Sequence, residues 1–242
     1  MPLRRPLTAS LAVFALALSG CGNDDELRAP DSGPPVEEPT AETQTQTQTE
    51  TTPPKPRKTP GGCEAVEQPE PRQPGKQKKG APLDASKQWS LVVKTNCGDF
   101  TIALDLETGP KNAASLVSLA ESGYFDDTIF HRIAPGFVIQ GGDPLANGSG
   151  GPGFKVVDPP PSDARYTKGV VAMAKSPDEP AGSGGSQFFV VTGDDVGLPP
   201  DYAVVGEISD GLNVVEKIGK LGNASEQPTE IVLIETIEVS SS

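Results

Sequence analysis

The 242-residue sequence predicts a domain of mainly β structure, a closed eight-stranded antiparallel β-barrel capped by two α-helices. Three observations lead to this fold class. Short runs rich in β-branched and aromatic residues recur from residue 89 onward, and turn residues separate them. Only two segments place apolar residues at helical spacing. The chain before residue 86 has a different composition and predicts no core of its own.

Residues 1–20 have the pattern of a targeting peptide. Arg4 and Arg5 form a basic start, and the apolar run from Leu7 to Leu18 is too short to span a bilayer. The sequence "LSGC" that ends at Cys21 resembles the lipobox of bacterial lipoproteins. This resemblance implies a lipoprotein signal peptide, lipid on Cys21 and an extracytoplasmic protein anchored to the cell membrane. Ordinary secretion after cleavage is the alternative.

Residues 21–85 predict a disordered tether rich in proline, threonine and glutamine. This stretch includes the tract "TQTQTQTE" and has few large apolar residues, so it buries too little surface to offset the entropy of ordering. A flexible chain of roughly 65 residues spans on the order of 45 Å. The segment is therefore expected to connect the membrane with the folded domain.

Residues 86–242 are predicted to be one domain with a single core. They contain 10 basic and 21 acidic residues, and the whole chain has a formal net charge of −13. Such an acidic surface does not suit the phosphate backbone of nucleic acids. We therefore expect no nucleic-acid partner, and we expect a monomer.

The elements of the domain follow from local patterns. A hairpin is predicted around the turn "NCGD", with Gly98 at its tip. Pro110 begins one helix that Gly123 ends, and Leu212, Val215 and Ile218 recur at helical spacing in a second. The predicted strands are WSLVVKT, FTIALDL, TIFHRI, FVIQGG, GVVAMA, SQFFVVT, YAVVGEI and EIVLIETIEV.

Of the three cysteines, one is expected to carry lipid and the other two are expected to pair. If lipid occupies Cys21, then Cys63 and Cys97 form an even pair in an oxidising compartment. Their spacing does not match a metal site, and we predict a disulfide that fixes the end of the tether to the domain. Closing such a loop contributes roughly 3–4 kcal/mol in the chain-entropy treatment. Two free thiols are the alternative.

Several kinds of enzyme site are excluded by what the sequence lacks. The run "GGDPLANGSGGPG" has no Gly-Lys-Ser/Thr ending and no following helix, so it is interpreted as a loop instead of a phosphate cradle. No Gly-x-Ser-x-Gly motif is present. His131 is the single histidine, which excludes a histidine-rich metal site and favours a structural hydrogen-bonding role for that residue. Neither a metal nor a cofactor is expected.

Alternation along two strands brings polar and aromatic side chains to the same surface. Val138 and Gln140 point to one face of their strand, and Gln187 and Phe189 share a face of theirs. Glutamines in a core would each need several hydrogen bonds. On a surface they offer donors and acceptors to an extended peptide, and the aromatic rings supply an apolar pocket. The pattern therefore predicts a peptide-binding groove.

Three motifs together resemble those of the cyclophilins. They are "FHRIAPGFVIQGGDP", "GSGGSQFFVVT" and "LPPDYAVVGEISDGLNVVEKI", and the resemblance extends over residues 89–239 in order. It implies an eight-stranded barrel and peptidyl-prolyl cis-trans isomerase activity on proline-containing polypeptides. It implies catalytic roles for Arg132, Phe137 and Gln140. The substrate-binding positions that it implies are Val138, Ala174, Gln187, Phe189, Leu198 and Tyr202.

The chemistry of this reaction explains the residue types. Rotation about a prolyl bond has a barrier of roughly 18–20 kcal/mol because the nitrogen lone pair is conjugated with the carbonyl. A guanidinium that donates to the prolyl nitrogen favours the twisted state, in which that lone pair is localised. Such catalysis uses no metal, cofactor or nucleophile.

The sequence departs from the family pattern at several positions in and around the site. Lys175 stands where members have asparagine, and only its main chain is expected to contribute. Gly197 stands where many members have tryptophan, which leaves cyclosporin sensitivity open. Tyr202 replaces a histidine of the animal-type sequences and is expected to stack on proline.

Two alternatives of other classes accompany the enzyme hypothesis. A barrel of this type could hold proline-containing segments on the cell surface without turnover, as a binding or chaperone module. A solute-binding lipoprotein would share the lipid anchor, but such proteins usually have a larger, two-lobed domain. The combination of Arg132, Phe137, Gln140 and Phe189 favours the isomerase.

Overall fold

The computed structural model describes residues 57–242, which contain eleven strands and two helices. Cys21 and the rest of residues 1–56, with the predicted signal peptide, lie outside this range. The strands are β1 (Trp89–Thr95), β2 (Phe100–Leu104), β3 (Thr128–Ile129), β4 (Arg132–Ala134), β5 (Val138–Gly141), β6 (Val156–Val157), β7 (Val170–Met173), β8 (Ser183–Gly184), β9 (Phe188–Val191), β10 (Val204–Asp210) and β11 (Leu233–Ser241). The helices are α1 (Pro110–Glu121) and α2 (Leu212–Gly219), close to the predicted bounds.

Nine strands form one antiparallel sheet in the order β3-β11-β1-β2-β10-β7-β9-β5-β4. The other two, β6 and β8, form a separate two-residue ladder that the sequence did not predict. The mainly β class with two helices is confirmed. The hairpin of β1 and β2 is also present, with a positive φ at Gly98 in its turn.

The prediction of a closed eight-stranded barrel is wrong, because the sheet is a curled half-barrel with two ends. The end strands β3 and β4 do not pair with each other within residues 57–242. β3 pairs only with β11 and β4 only with β5, and the predicted single strand TIFHRI is split between them. One isolated bridge, from Ile129 to Asp143, joins the two ends. A single bridge does not make a ladder, so the seam stays open.

A large apolar cluster fills the enclosed side of the sheet. Phe125, Phe130 and Phe188 are fully buried there and meet edge to face, with centroids 6.1 Å apart in the Phe125–Phe188 and Phe130–Phe188 pairs. The cluster also includes both Cys63 and Cys97. The sheet therefore curls around this enclosed cluster, and its other face points outward.

Helix α1 begins where an aspartate satisfies its free N–H groups. Asp158 Oδ2 accepts hydrogen bonds from the backbone N–H of Lys111 at 2.9 Å and of Asn112 at 2.7 Å. Such a carboxylate stabilises a helix N-terminus because the first turn has no internal acceptors. Gly123, in the left-handed region, follows its C-terminal end as predicted.

Residues 57–88 have no strand or helix, yet they lie along the domain; we call them the arm. Arg72 Nη2 donates to the carbonyls of Tyr124 and Asp126, each at 2.7 Å. Cys63 forms a disulfide with Cys97, the pairing expected from the sequence. Within the predicted tether, residues 57–85 therefore make contacts with the domain beyond the disulfide that the sequence predicted. The disulfide and the hydrogen bonds of Arg72 order the arm, although the arm has no hydrophobic core of its own.

The described residues contain no helix that is long and apolar enough to cross a bilayer.

Candidate active site

A pocket opens on the outer face of β4, β5 and β9, away from the enclosed cluster. Antiparallel pairing sets Arg132 beside Gln140 and Gln140 beside Phe189. Side chains that are directly opposite in a ladder share a face, so the register brings these three together. The pocket has a volume of about 340 Å³. Its lining residues are Arg132, Phe137, Val138, Gln140, Ala174, Lys175, Phe189, Leu198 and Tyr202.

Aromatic rings shape the apolar side of this pocket. Phe189 and Tyr202 meet edge to face with their centroids 5.5 Å apart. Behind them lies Tyr166, which is fully buried and whose hydroxyl donates to the Tyr202 carbonyl at 2.7 Å. The same hydroxyl accepts from the Tyr202 backbone N–H at 3.0 Å. Tyr166 therefore fixes Tyr202, a role for which its loop sequence gave no signal; burial also raises the pKa of its hydroxyl.

A row of hydrogen-bonded polar side chains runs along the other side. Arg132 Nη1 donates to Gln140 Oε1 at 3.2 Å, and Gln140 Nε2 donates to Gln187 Oε1 at 3.1 Å. Gln187 Nε2 in turn donates to the carbonyls of Gly148 and Gly150, each at 2.9 Å. The predicted site residues are thus connected to one another across two strands and a loop.

The Arg132 side chain is held from two further directions. Its Nε donates to Glu226 Oε2 at 2.7 Å, and its guanidinium carbon lies 5.7 Å from the centroid of the Phe137 ring. Glu226 belongs to the loop between α2 and β11, and no motif in the sequence indicated it. The guanidinium therefore stands at the mouth of the pocket with its plane constrained.

A second, wider cavity adjoins the first and shares Gln140, Ala174 and Lys175 with it. Its volume is about 820 Å³, and residues 148–155 form much of its wall. Gln187 lines this second cavity and not the pocket, although it contacts Gln140. The glycine-rich run is a loop here, as predicted.

One buried carboxylate gives this loop its shape. Asp143 Oδ1 accepts from the backbone N–H of Leu145 at 2.8 Å, and its Oδ2 accepts from Asn147 at 3.1 Å and Gly148 at 2.6 Å. A fully buried carboxylate needs such donors, because burial without hydrogen bonds is costly. Asp143 thereby sets the carbonyls of Gly148 and Gly150 where Gln187 reaches them.

Lys175 forms the ridge between the two cavities. Its side chain is 3% exposed, and its ammonium lies 2.7 Å from Asp201 Oδ2 and 5.7 Å from the centroid of the Tyr202 ring. The neighbouring Ala174 donates its backbone N–H to the Gln187 carbonyl at 2.9 Å. The lysine at this position therefore has a packing role of its own, beyond the main-chain contribution expected from the sequence.

His131 lies apart from the pocket, facing another cavity of about 260 Å³ that Gln68 of the arm also lines. The imidazole is buried, and its Nδ1 has no hydrogen-bond partner among residues 57–242, so the expected hydrogen-bonding role has no partner at that atom. Burial lowers the pKa of His131, the nearby Asp143 opposes that shift, and Arg132 adds to it. Burial therefore favours the neutral form of the imidazole.

No group of three or more histidine, cysteine, aspartate or glutamate side chains within residues 57–242 is arranged to hold a metal ion. Of the predicted site residues in that range, eight line the pocket and Gln187 lies one hydrogen bond away. They are Arg132, Phe137, Val138, Gln140, Ala174, Phe189, Leu198 and Tyr202.

Comparisons with known proteins identify the same domain. Residues 90–239 match the family model of the cyclophilin type peptidyl-prolyl cis-trans isomerases. The chain is 37% identical over 170 residues to peptidyl-prolyl cis-trans isomerase A of Mycobacterium tuberculosis, a match that covers 62% of this chain and 92% of that protein. It is 34% identical over 149 residues to peptidyl-prolyl cis-trans isomerase cypE of Dictyostelium discoideum, covering 60% of this chain and 94% of that one.

A solved structure agrees with this result. A cyclophilin type peptidyl-prolyl cis-trans isomerase of Cryptosporidium parvum, crystallised in the presence of the dipeptide Ala-Pro, superposes with a TM-score of 0.58 at 30% identity. The match covers 63% of this chain and 99% of that one. With its sheet, its pocket and these relatives, the chain belongs to the cyclophilin-type peptidyl-prolyl cis-trans isomerases, enzymes that interconvert the cis and trans forms of prolyl bonds.

Proposed function

We propose that this isomerase acts on exported polypeptides as they fold, and that the pocket around Arg132 is where the prolyl bond turns. The observation that carries the proposal is the placement of a guanidinium and a glutamine amide in one pocket with the apolar side chains of Phe137, Phe189 and Leu198. Arg132 lines that pocket, and among residues 57–242 its Nη2 has no hydrogen-bond partner, so this nitrogen is available to a ligand. The Ala-Pro dipeptide used with the related structure supports a proline-containing ligand.

The geometry gives each side chain a role in that reaction. Phe137, Phe189 and Leu198 hold the proline ring away from water, and Tyr202 packs against its edge. Gln140 binds the main chain of the substrate beside the ring. Arg132 donates to the prolyl nitrogen in the twisted state, where the lone pair is no longer shared with the carbonyl, so the interaction is stronger there than in the ground state. No proton is transferred permanently.

The test is the cis-to-trans rate of an Ala-Pro test peptide with the parent chain and with Arg132→Ala. We expect the substitution to lower kcat/KM by about 100- to 1000-fold, the usual cost of removing a donor to a transition-state charge. Arg165→Ala is the matched control, because Arg165 is exposed, pairs with Asp195 and does not line the pocket. Both variants should melt like the parent.

Two results would contradict the proposal. Equal rates for Arg132→Ala and the parent would remove the assigned role from Arg132. A well-folded parent that binds proline peptides without accelerating their isomerisation would favour the binding module.

We also propose that lipid on Cys21 holds the domain on the outer face of the cell membrane. The support is the "LSGC" sequence after a basic start and a short apolar run. Expressed in a bacterial host, the parent should sediment with membranes and carry the added mass of acyl chains, whereas Cys21→Ser should not. A parent released into the medium without added mass would favour ordinary secretion.

A further inference from the structure

The carboxylate of Glu226 makes the shortest hydrogen bond to the Arg132 side chain in the described structure, 2.7 Å from Nε to Oε2. Both partners are partly open to solvent, with side-chain exposures of 33% for Arg132 and 47% for Glu226. Glu226 belongs to neither the sheet nor the pocket lining. It reaches the site from the loop between α2 and β11.

The backbone of Glu226 adopts an unfavourable conformation to make this contact. Its φ is 60°, in the left-handed region that a residue with a Cβ rarely occupies. The loop enforces it from both sides: the Glu226 N–H donates to the Asn223 carbonyl at 2.9 Å, and the Ile133 N–H donates to the Glu226 carbonyl at 2.9 Å. The second bond joins the loop to β4, the strand that bears Arg132.

The side chain of Asn223 holds the rest of the turn. Its Oδ1 accepts from the backbone N–H of Ser225 at 2.8 Å and of Gln227 at 3.1 Å. A turn fixed in this way would accept glycine at position 226 more readily than any other residue, because glycine has no penalty at positive φ. A glutamate at such a position points to a use for its side chain.

We propose that Glu226 is a positioning residue for Arg132. This inference rests on the proposed function of Arg132 in isomerisation. An arginine side chain has many rotamers, and a site loses rate when a reacting group is free to leave its productive geometry. Glu226 binds Nε of the guanidinium and Gln140 binds Nη1, so two hydrogen bonds constrain the guanidinium plane beside the pocket that Arg132 lines.

Three substitutions distinguish the effect of the Glu226 carboxylate from the effect of the backbone conformation at position 226. Glu226→Gly removes the carboxylate and relieves the left-handed backbone, so we expect kcat/KM to fall about tenfold while the melting temperature stays at or above that of the parent. Glu226→Gln keeps an acceptor for Nε–H, and we expect it to stay within about threefold of the parent, a conservative rescue. Glu235→Gln, an exposed glutamate on β11, is the control for loss of one negative charge.

The double variant shows whether Glu226 acts through Arg132. If it does, adding Glu226→Gly to Arg132→Ala causes no further loss of kcat/KM, because the group being positioned is already absent. The Nε–H resonance of Arg132 in ¹⁵N NMR spectra gives a second readout that needs no turnover. It should be resolved and slow to exchange in the parent and in Glu226→Gln, and it should be lost in Glu226→Gly.

The possible results distinguish a failure of the positioning role of Glu226 from a failure of the proposed function. Full activity in Glu226→Gly, or an additional loss on top of Arg132→Ala, would overturn the proposal. A parent that fails to accelerate isomerisation would refute the proposed function instead. In that case an unchanged Arg132 Nε–H signal in Glu226→Gly would still refute the positioning role.

Discussion

Two apolar clusters lie on opposite faces of the same strands, and they differ in what completes them. The enclosed cluster is filled by its own side chains, with Phe125, Phe130, Ile139 and Phe188 each at most 2% exposed. The outer cluster is smaller and open, and half-buried residues such as Phe137 form its rim. Its buried members are Ala134, Val138, Tyr166, Ala172, Phe189 and Val191. The enclosed cluster therefore stabilises the fold, and the outer one leaves a space for a ligand.

The largest expected effect is a loss of stability caused by a substitution in the enclosed cluster alone. Phe188→Ala removes the ring between Phe125 and Phe130, and we expect it to lower the free energy of unfolding by about 3–5 kcal/mol. Phe137→Ala, on the outer cluster, should cost no more than about 1 kcal/mol of stability because the ring is only partly buried. It should instead lower kcat/KM by about 10- to 100-fold through loss of the pocket wall.

Urea unfolding and peptide isomerisation, measured on both variants, check this pair. Similar stability losses in the two variants, or unchanged isomerisation in Phe137→Ala, would contradict the assignment of stability to the enclosed cluster and of ligand binding to the outer cluster.

A second prediction concerns the disulfide, which belongs to the enclosed cluster. The bond between Cys63 and Cys97 closes a loop with a sequence separation of 34. Replacing both cysteines with serine should lower the free energy of unfolding by about 3–4 kcal/mol, mainly by freeing the unfolded chain. Activity at temperatures where the variant is fully folded should be unchanged, since neither cysteine lines the pocket. A loss of activity in the folded variant would link the arm to the site.

The smallest expected effect concerns His131, which lies between β3 and β4 and outside both clusters. Because burial lowers its pKa from the ordinary value of 6.5, the unfolded chain binds the proton more readily than the folded one. Stability should therefore be constant above about pH 7 and should fall as the pH drops through 6.5, with a slope of at most about 1.4 kcal/mol per pH unit. His131→Gln should remove this part of the slope in urea titrations at pH 7.5, 6.5 and 5.5. Identical slopes in the two proteins would refute it.

Strand periodicity is local, and alternation predicted the faces of β5 and β9 correctly, although it placed Phe137, just before β5, on the face opposite Gln140, and the structure puts both in the pocket. Gln140 and Phe189 were each assigned to a face by alternation, and the register between β5 and β9 places them directly opposite each other. The strand prediction failed at TIFHRI, where Phe130 and His131 separate two pairings that alternation cannot distinguish.

Other features depend on contacts between distant parts of the chain. Glu226 and Tyr166 act from loops with no periodic pattern, and each reaches the site through hydrogen bonds over 36 or more positions. The composition of the arm gave no indication of the hydrogen bonds by which Arg72 fixes it to the domain, whereas the disulfide of Cys63 was predicted. Local sequence patterns also could not predict whether the sheet closes into a barrel, because closure depends on whether the end strands β3 and β4 pair with each other.

The position of the disulfide also determines how a mechanical load would pass through the molecule. A force applied to the chain ahead of Cys63 crosses the sulfur bridge to Cys97, in the turn between β1 and β2. The covalent bridge bypasses residues 64–96, so the part of the arm that follows Cys63 bears no tension and its contacts, such as those of Arg72, are not pulled apart. The turn that takes the load is flanked by β1, which pairs with both β2 and β11. Pulling from this side would therefore strain the centre of the sheet before it reached the strands that carry Arg132 and Gln140.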